Sequence, residues 1–140
     1  MSSLRSRKLR AFIAAIVVVF AATIALAAPA AAGTCQGSSC TGRWPDGTTC
    51  AGDARTALST NINGRLVELR YSPSCRAVWG KISYARVGDG VSVHNSNGAY
   101  YYQQVQSGSD THTKMVNDMN ITAYACGFVG SSYACTNPPF

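Results

Sequence analysis

The stretch "ELRYSPSCRAVWGKI" (residues 68–82) decides how the chain is read. Before its break, Leu69 and Tyr71 alternate with Glu68 and Arg70; after it, Val78 and Ile82 fall in phase. A two-residue period is the mark of a half-buried strand. Pro73 fixes its own φ and pushes Ser72 towards extended geometry, so "SPS" is a turn between two strands. Cys75 sits at that turn beside Arg76. It is either a thiol activated by the neighbouring cation or half of a structural bridge.

The compartment decides between those two readings. Residues 1–10 hold four cations and no acid, and the apolar run "AFIAAIVVVFAATIALAA" follows, then the small-residue stretch "PAAAG". That order describes a secretory signal peptide, with cleavage expected after Ala32. The run is close to the roughly 18-residue minimum for a membrane span, but its alanine content and cleavage pattern favour a removed signal. Residues 1–32 are therefore expected to be the signal and residues 33–140 one exported domain. No membrane association is expected after cleavage. Cys35 lacks the preceding residues that lipidation requires.

Four of the twelve Lys and Arg belong to the expected signal, leaving eight against six acids, about +2 rather than +6. The eight are scattered (Arg43, Arg55, Arg65, Arg70, Arg76, Lys81, Arg86, Lys114). Nucleic-acid binding needs cations gathered on one face, so nucleic acid is excluded as a partner. All six cysteines (Cys35, Cys40, Cys50, Cys75, Cys126, Cys135) lie in the exported part. An even number in a small exported domain reads as a disulfide framework, which turns Cys75 into a staple.

Residues 33–52 are dominated by Gly, Ser, Thr and "PDG", the composition of a looped, bridge-pinned segment. "DARTALSTNI" is ambiguous between a short helical turn near Asp53 and a strand broken at Asn61. Beyond "RLVELRY" and "RAVWGKISYARV" come "VSVH", "AYYYQQVQ", "KMV", "ITAYACGFV" and "SSYACT", separated by "GDG", "NSNG", "SGSDTHT" and "NDMN". The prediction is an all-β fold: a small disulfide-stapled antiparallel meander closing as a barrel or a sandwich, with a looped N-terminal region. "NPPF" is expected to be an extended tail.

Cys126 and Cys135 flank a turn at Gly130–Ser132 and are expected to pair. For the other four, Cys50–Cys75 with Cys35–Cys40 and Cys35–Cys50 with Cys40–Cys75 both satisfy the sequence.

Catalytic chemistry finds little footing. No G-x-S-x-G is present, His112 with Asp110 two residues earlier lies in a polar loop, and His94 ends a strand. Two histidines with seventeen residues between them, with the cysteines bridged, do not compose a zinc site. No enzyme activity, cofactor or metal is expected. "N-I-T" at 120–122 matches a glycosylation sequon, a match that chance supplies easily.

The aromatic residues carry more content. Tyr100, Tyr101 and Tyr102 are consecutive, so on a strand at least one ring must leave the core. Trp79 is out of phase with Val78, Ile82 and Tyr84: either it is an exposed ring, or it packs beneath the N-terminal region. Trp44, Trp79, Tyr100, Tyr101 and Tyr102 form the candidate binding set, because exposed aromatics are where proteins or sugar rings dock.

"CQGSSCTGRWPDGTTCAGDARTA", "VELRYSPSCRAVWGKI" and "VGDGVSV" together resemble the YjfA-like domain, a small secreted cysteine-containing domain of unknown function found in Gram-positive bacteria, actinobacteria in particular. The resemblance spans about Cys35 to Val105 and rests on the cysteine spacing, "DA-x-T" and "RYS-x-x-CRA-x-W" in order. It implies fold-defining roles for Cys35, Cys40, Cys50, Cys75, Arg70, Arg76 and Trp79, and no activity or cofactor. The functional expectation is a secreted protein–protein interaction module, such as an adaptor or subunit of an extracellular antibacterial toxin-type assembly. The alternatives are a binder of extracellular or cell-wall polysaccharide and a secreted hydrolase inhibitor acting through "SPSC" or "SGSDTHT".

Overall fold

The computed structural model describes residues 33–140. The expected signal peptide lies outside the described residues. Three short 3-10 turns (Gly37–Cys40, Pro45–Gly47 and Thr49–Asp53) open the domain. Nine strands follow: β1 (Arg55–Ile62), β2 (Arg65–Ser72), β3 (Ala77–Ser83), β4 (Gly90–Asn95), β5 (Tyr100–Gln104), β6 (Thr111–His112), β7 (Val116–Asn117), β8 (Ala123–Val129) and β9 (Ser132–Cys135). They build two antiparallel sheets. In the first, β1-β2-β3-β6 run in order and β7 also pairs with β3; in the second the order is β5-β4-β8-β9. The sheets pack as a sandwich and do not close into a barrel.

The quoted stretch is the β2–β3 hairpin. Ser72 pairs with Ala77, so Pro73–Arg76 form a four-residue loop, closed by the Arg76 N–H donating to the Ser72 carbonyl at 2.8 Å. Arg76 adopts a left-handed conformation there (φ 48°). Its guanidinium donates to Asn120 Oδ1, not to a thiolate. Cys75 therefore lies in the turn, two residues before β3 begins at Ala77. "DARTALSTNI" divides after Asp53, a 3-10 turn giving way to β1. The β1–β2 connection is the two-residue turn Asn63-Gly64, both left-handed (φ 46° and 80°), the backbone that matches strand twist in tight hairpins.

Register explains the core. Val67, Leu69 and Tyr71 face Ile82, Gly80 and Val78 across the β2–β3 pair, and all lie on the side turned to the second sheet. Val91, Val93, Ala123 and Ala125 meet them from β4 and β8, fully buried. At Gly80 the sheets approach so closely that a Cβ would lie 2.8 Å from the Ser92 carbonyl oxygen. Tyr84, expected in phase with this face, lies beyond the end of β3, is left-handed (φ 57°) and points to solvent.

A second, smaller core lies on the opposite side of the first sheet. There Cys35, Cys40, Cys50, Cys75, Ala77 and Met115 enclose Trp79. Trp79 does point away from the main core, as its phase requires, but the N-terminal segment folds over it and leaves it 5% exposed. Its place among exposed binding residues is thus corrected: the ring is the anchor of the N-terminal cap. The bridges are Cys35–Cys40, Cys50–Cys75 and Cys126–Cys135. Cys50–Cys75 ties the cap to the β2–β3 turn, and Asp53 reinforces that tie by accepting from Ser72 Oγ (2.5 Å) and the Ser74 N–H (2.8 Å). Burial alone would raise the Asp53 pKa; these hydrogen bonds outweigh it and hold the carboxyl below its ordinary value. The chain end is not a loose tail, because Phe140 exchanges both backbone hydrogen bonds with Ala123 and sets its ring edge on Tyr71.

Candidate functional site

The cap consumes one outer face of the sandwich; among the described residues nothing covers the other. On the second sheet, residues directly opposite each other in register share a face. Outward-facing rows are therefore Tyr100–His94–Tyr124, then Tyr102–Ser92–Cys126–Cys135, then Gln104–Gly90–Phe128–Tyr133. None of β4, β5, β8 and β9 contains an Asp, Glu, Lys or Arg. The first sheet, by contrast, carries Arg55, Arg65, Glu68, Arg70 and Lys81.

The rings of this face contact one another. The His94 ring stacks parallel on Tyr124 at 4.6 Å and lies 4.7 Å from Tyr100. Its Nε2 is 2.9 Å from the Ser92 hydroxyl, and burial lowers the His94 pKa, favouring the neutral ring. Tyr102 meets Phe128 edge-on at 5.7 Å, and Phe128 stacks on Tyr133. Tyr102 can lie across the sheet because Gly90 beneath it has no side chain: a Cβ there would overlap the phenol oxygen. Tyr100, Tyr102 and Tyr133 remain 51%, 44% and 70% exposed, while Ser92 and Cys126 are covered beneath the rings. The result is a neutral aromatic surface braced from below by a cross-strand disulfide.

Tyr101 points the other way, as alternation demands, and packs at the rim of the main core. Its ring, with Trp44, Tyr102, Gln103 and Lys114, lines a pocket of about 290 Å³. The Lys114 ammonium stands 5.7 Å from the Trp44 ring centre and 5.9 Å from that of Tyr101, within cation–π range. His112 sets an edge against Trp44, and its Nε2 is 3.0 Å from Asp46 Oδ2, out of line for a hydrogen bond. The carboxylate beside His112 is therefore Asp46 of the cap rather than Asp110.

Of the five sequence-predicted aromatics, Tyr100 and Tyr102 reach the outer face, Trp44, Tyr101 and Tyr102 meet at the pocket, and Trp79 is buried elsewhere. His94, Tyr124, Phe128, Tyr133, Gln103 and Lys114 complete these surfaces without having been singled out. The signal for Tyr124 and Phe128 is present in "ITAYACGFV", where they alternate with Ala123, Ala125 and Gly127 on the core side. The sulfurs of Cys35, Cys40, Cys50 and Cys75 lie within 4.8 Å of one another, a spacing that free thiols could offer a metal, but all four are bridged.

A family model described as "Protein of unknown function (DUF2690)" matches residues 38–126. The chain belongs to that family. The match begins inside the first 3-10 turn, after Cys35, and ends within β8 at Cys126, so it takes in most of the cap, the β2–β3 hairpin and Tyr100, Tyr102, His94 and Tyr124 of the aromatic face but not Phe128. Tyr133 and the β9 partner of the Cys126 bridge lie beyond it. No curated protein and no solved structure matches the chain.

Proposed function

We propose that the protein is an exported protein–protein interaction module whose docking surface is the outer face of the second sheet. The observation that carries this reading is the contrast between the two sides of the sandwich: one capped and charged, the other aromatic, neutral and bare. Protein interfaces are enriched in Tyr, Trp and Phe and depleted of charge at their centres, and their energy concentrates in a few large anchors. Three disulfides in a domain of this size suit an oxidising compartment. Together with the export signal expected over residues 1–32, the bridges support a location outside the cell. The resemblance to the YjfA-like domain of Gram-positive and actinobacterial proteins fits an adaptor or subunit of a secreted antibacterial assembly.

The test is affinity capture from native culture supernatant with the wild-type protein and a Tyr102→Ala/Phe128→Ala variant. A stoichiometric partner retained by the wild type and released by the variant is expected. A partner retained equally by both would move the docking surface elsewhere, and no stoichiometric partner would defeat the reading.

A second reading, binding of extracellular polysaccharide, is favoured by the way Tyr102 lies across Gly90 and offers its ring face, since sugars stack on flat aromatic faces. Retention on insoluble cell-wall glycan, lost in Tyr100→Ala and Tyr102→Ala, would support it. The inhibitor reading has less support: Cys75 is buried and Asp53 holds the "SPSC" turn against the cap, leaving Pro73 alone fully exposed there.

A further inference from the structure

β5 is an edge strand, and the phase of its hydrogen bonding is fixed by its ends. The Asn95 N–H donates to the Ala99 carbonyl, and the Val105 N–H to the Asp89 carbonyl. The pairs between them alternate, so Val93–Tyr101 and Val91–Gln103 are the hydrogen-bonded pairs of the ladder. The N–H and C=O groups of Tyr100, Tyr102 and Gln104 consequently point away from β4. Among the described residues β5 pairs with β4 alone. Three consecutive β5 residues, Tyr101, Tyr102 and Gln103, line the pocket. Successive side chains alternate between faces, so a pocket that touches all three opens along the free edge of the strand rather than over one face. Across the opening stands Lys114, whose ammonium rests on aromatic rings and pairs with no carboxylate among the described residues.

We propose that this edge takes an extended peptide segment of the partner, which adds to β5 as a strand and sets a carboxylate against Lys114. The proposal rests on the interaction-module reading and names the kind of segment that module recognises. Main-chain pairing to Tyr100, Tyr102 and Gln104 supplies affinity without sequence preference, as in other strand-addition complexes. Selectivity comes from the pocket: Trp44 and Tyr101 wall it with apolar surface, the Gln103 amide must release the Gln104 carbonyl, to which it donates at 3.5 Å, as the strand pairs there, and Lys114 selects an acidic side chain or a chain-terminal carboxylate. Charge complementarity makes this occupant the choice over a neutral segment, because an ammonium already partly desolvated by two rings gains most from an anion.

The experiment uses a degenerate hexapeptide library, half with free C-termini and half amidated, panned against the exported domain, with backbone amide protection measured on the retained pool. Enrichment of peptides bearing Asp, Glu or a free C-terminus is expected, with new protection at Tyr100, Tyr102 and Gln104 and none gained at Tyr101 or Gln103, which are already bonded. Lys114→Met should weaken the acidic pool by about tenfold, one charge-assisted hydrogen bond, and leave neutral peptides unchanged. Gln104→Pro removes a donor that faces solvent and leaves the β4–β5 ladder intact, so it should abolish retention; Gln104→Ala, which loses the same side-chain hydrogen bond to the Gly88 carbonyl but keeps the backbone N–H, should share its thermal transition and still retain the pool. Retention without acidic enrichment, or retention that survives Gln104→Pro, overturns the proposal. So does binding of a polyuronate at the pocket that depends on Lys114 and ignores Gln104→Pro, which would assign the site to an acidic glycan. Capture of the native partner separates the two levels: a partner held equally by wild type and Gln104→Pro defeats strand addition and spares the module, whereas no captured partner defeats both.

Discussion

Removing the Cys50–Cys75 bridge as Cys50→Ala/Cys75→Ala tests the claim that the cap is a layer stapled to the first sheet. In the loop-entropy account, a closed loop of 25 residues stabilises by about 3.5 kcal/mol at 25 °C. The same relation gives about 2.6 kcal/mol for the 9-residue Cys126–Cys135 loop and about 2.1 kcal/mol for the 5-residue Cys35–Cys40 loop. Cys50 and Cys75 are also fully buried against Trp79, so their loss opens space in the smaller core and adds to the entropic term. The expected order of destabilisation is therefore 50–75, then 126–135, then 35–40. Equilibrium urea unfolding of the three double-alanine variants under non-reducing conditions reads that order directly. With Trp44 replaced by Phe in every variant, the remaining emission is that of Trp79 and reports its cover: in the 50–75 variant it should shift to the red at urea concentrations where far-ultraviolet dichroism still shows the sheets intact. A 50–75 variant less destabilised than the 126–135 variant, or one whose Trp79 emission moves only with the sheets, would refute the reasoning.

Three further outcomes follow from the packing. Gly127→Ala places a methyl on Val67 Cγ2 and 3.2 Å from Ile62 Cγ2 in the main core, and should lower stability by about 1–3 kcal/mol in urea unfolding. Gly90→Ala meets only the far end of the exposed Tyr102 ring, so stability should move by less than about 1 kcal/mol while partner retention falls as in Tyr102→Ala. The Asp118 carboxyl is pushed up to about 6 by burial, only partly offset by the Arg76 charge. Its stabilising effect is thus complete below the ordinary value near 3.8 and is lost as pH rises through 6. After allowance for its half-exposed position, Asp118→Asn should stabilise the protein by about 1 kcal/mol at pH 7.5 and by nothing below pH 4, read as thermal midpoints at both values.

The sequence made the sheet architecture legible wherever one face of a strand is buried and the other wet. Val67, Leu69, Val78 and Ile82 declare their side by alternation, and the turns "NSNG" and Gly130-Ser131 sit where Gly and Asn place them, the second one residue shorter than expected. β1 was obscured because Thr56, Ser59, Thr60 and Asn61 give no clear period; its signal was the Asn63-Gly64 turn that follows. Trp79 shows the limit of periodicity. Phase says which side of a sheet a residue occupies, and it did so correctly, but whether that side is solvent depends on a segment thirty to forty residues earlier that has no periodic structure. The pocket was hidden for the same reason. Trp44 and Lys114 are seventy residues apart, and only the folding of the cap across the sheet edge brings them together.

The same packing bears on the surface proposed for docking. The hairpin at 68–82 directs Val78 and Ile82 into the sandwich and Trp79 outward, and the outward ring requires a cover, which the Cys50–Cys75 bridge holds in place. One sheet face is thereby consumed in stability. Among the described residues the opposite sheet has no cap, yet its outer residues are not the charged ones that ordinarily solvate such a face; they are Tyr100, Tyr102, Tyr124, Phe128 and Tyr133. Their exposure is also specifically supported, since Gly90 makes room for Tyr102 and the Cys126–Cys135 bridge fixes the two strands beneath the rings. Scattered surface aromatics need no explanation, but rings aligned, with His94, over all four strands of one sheet, free of charge and bounded by an open strand edge, are the form proposed here for a docking site.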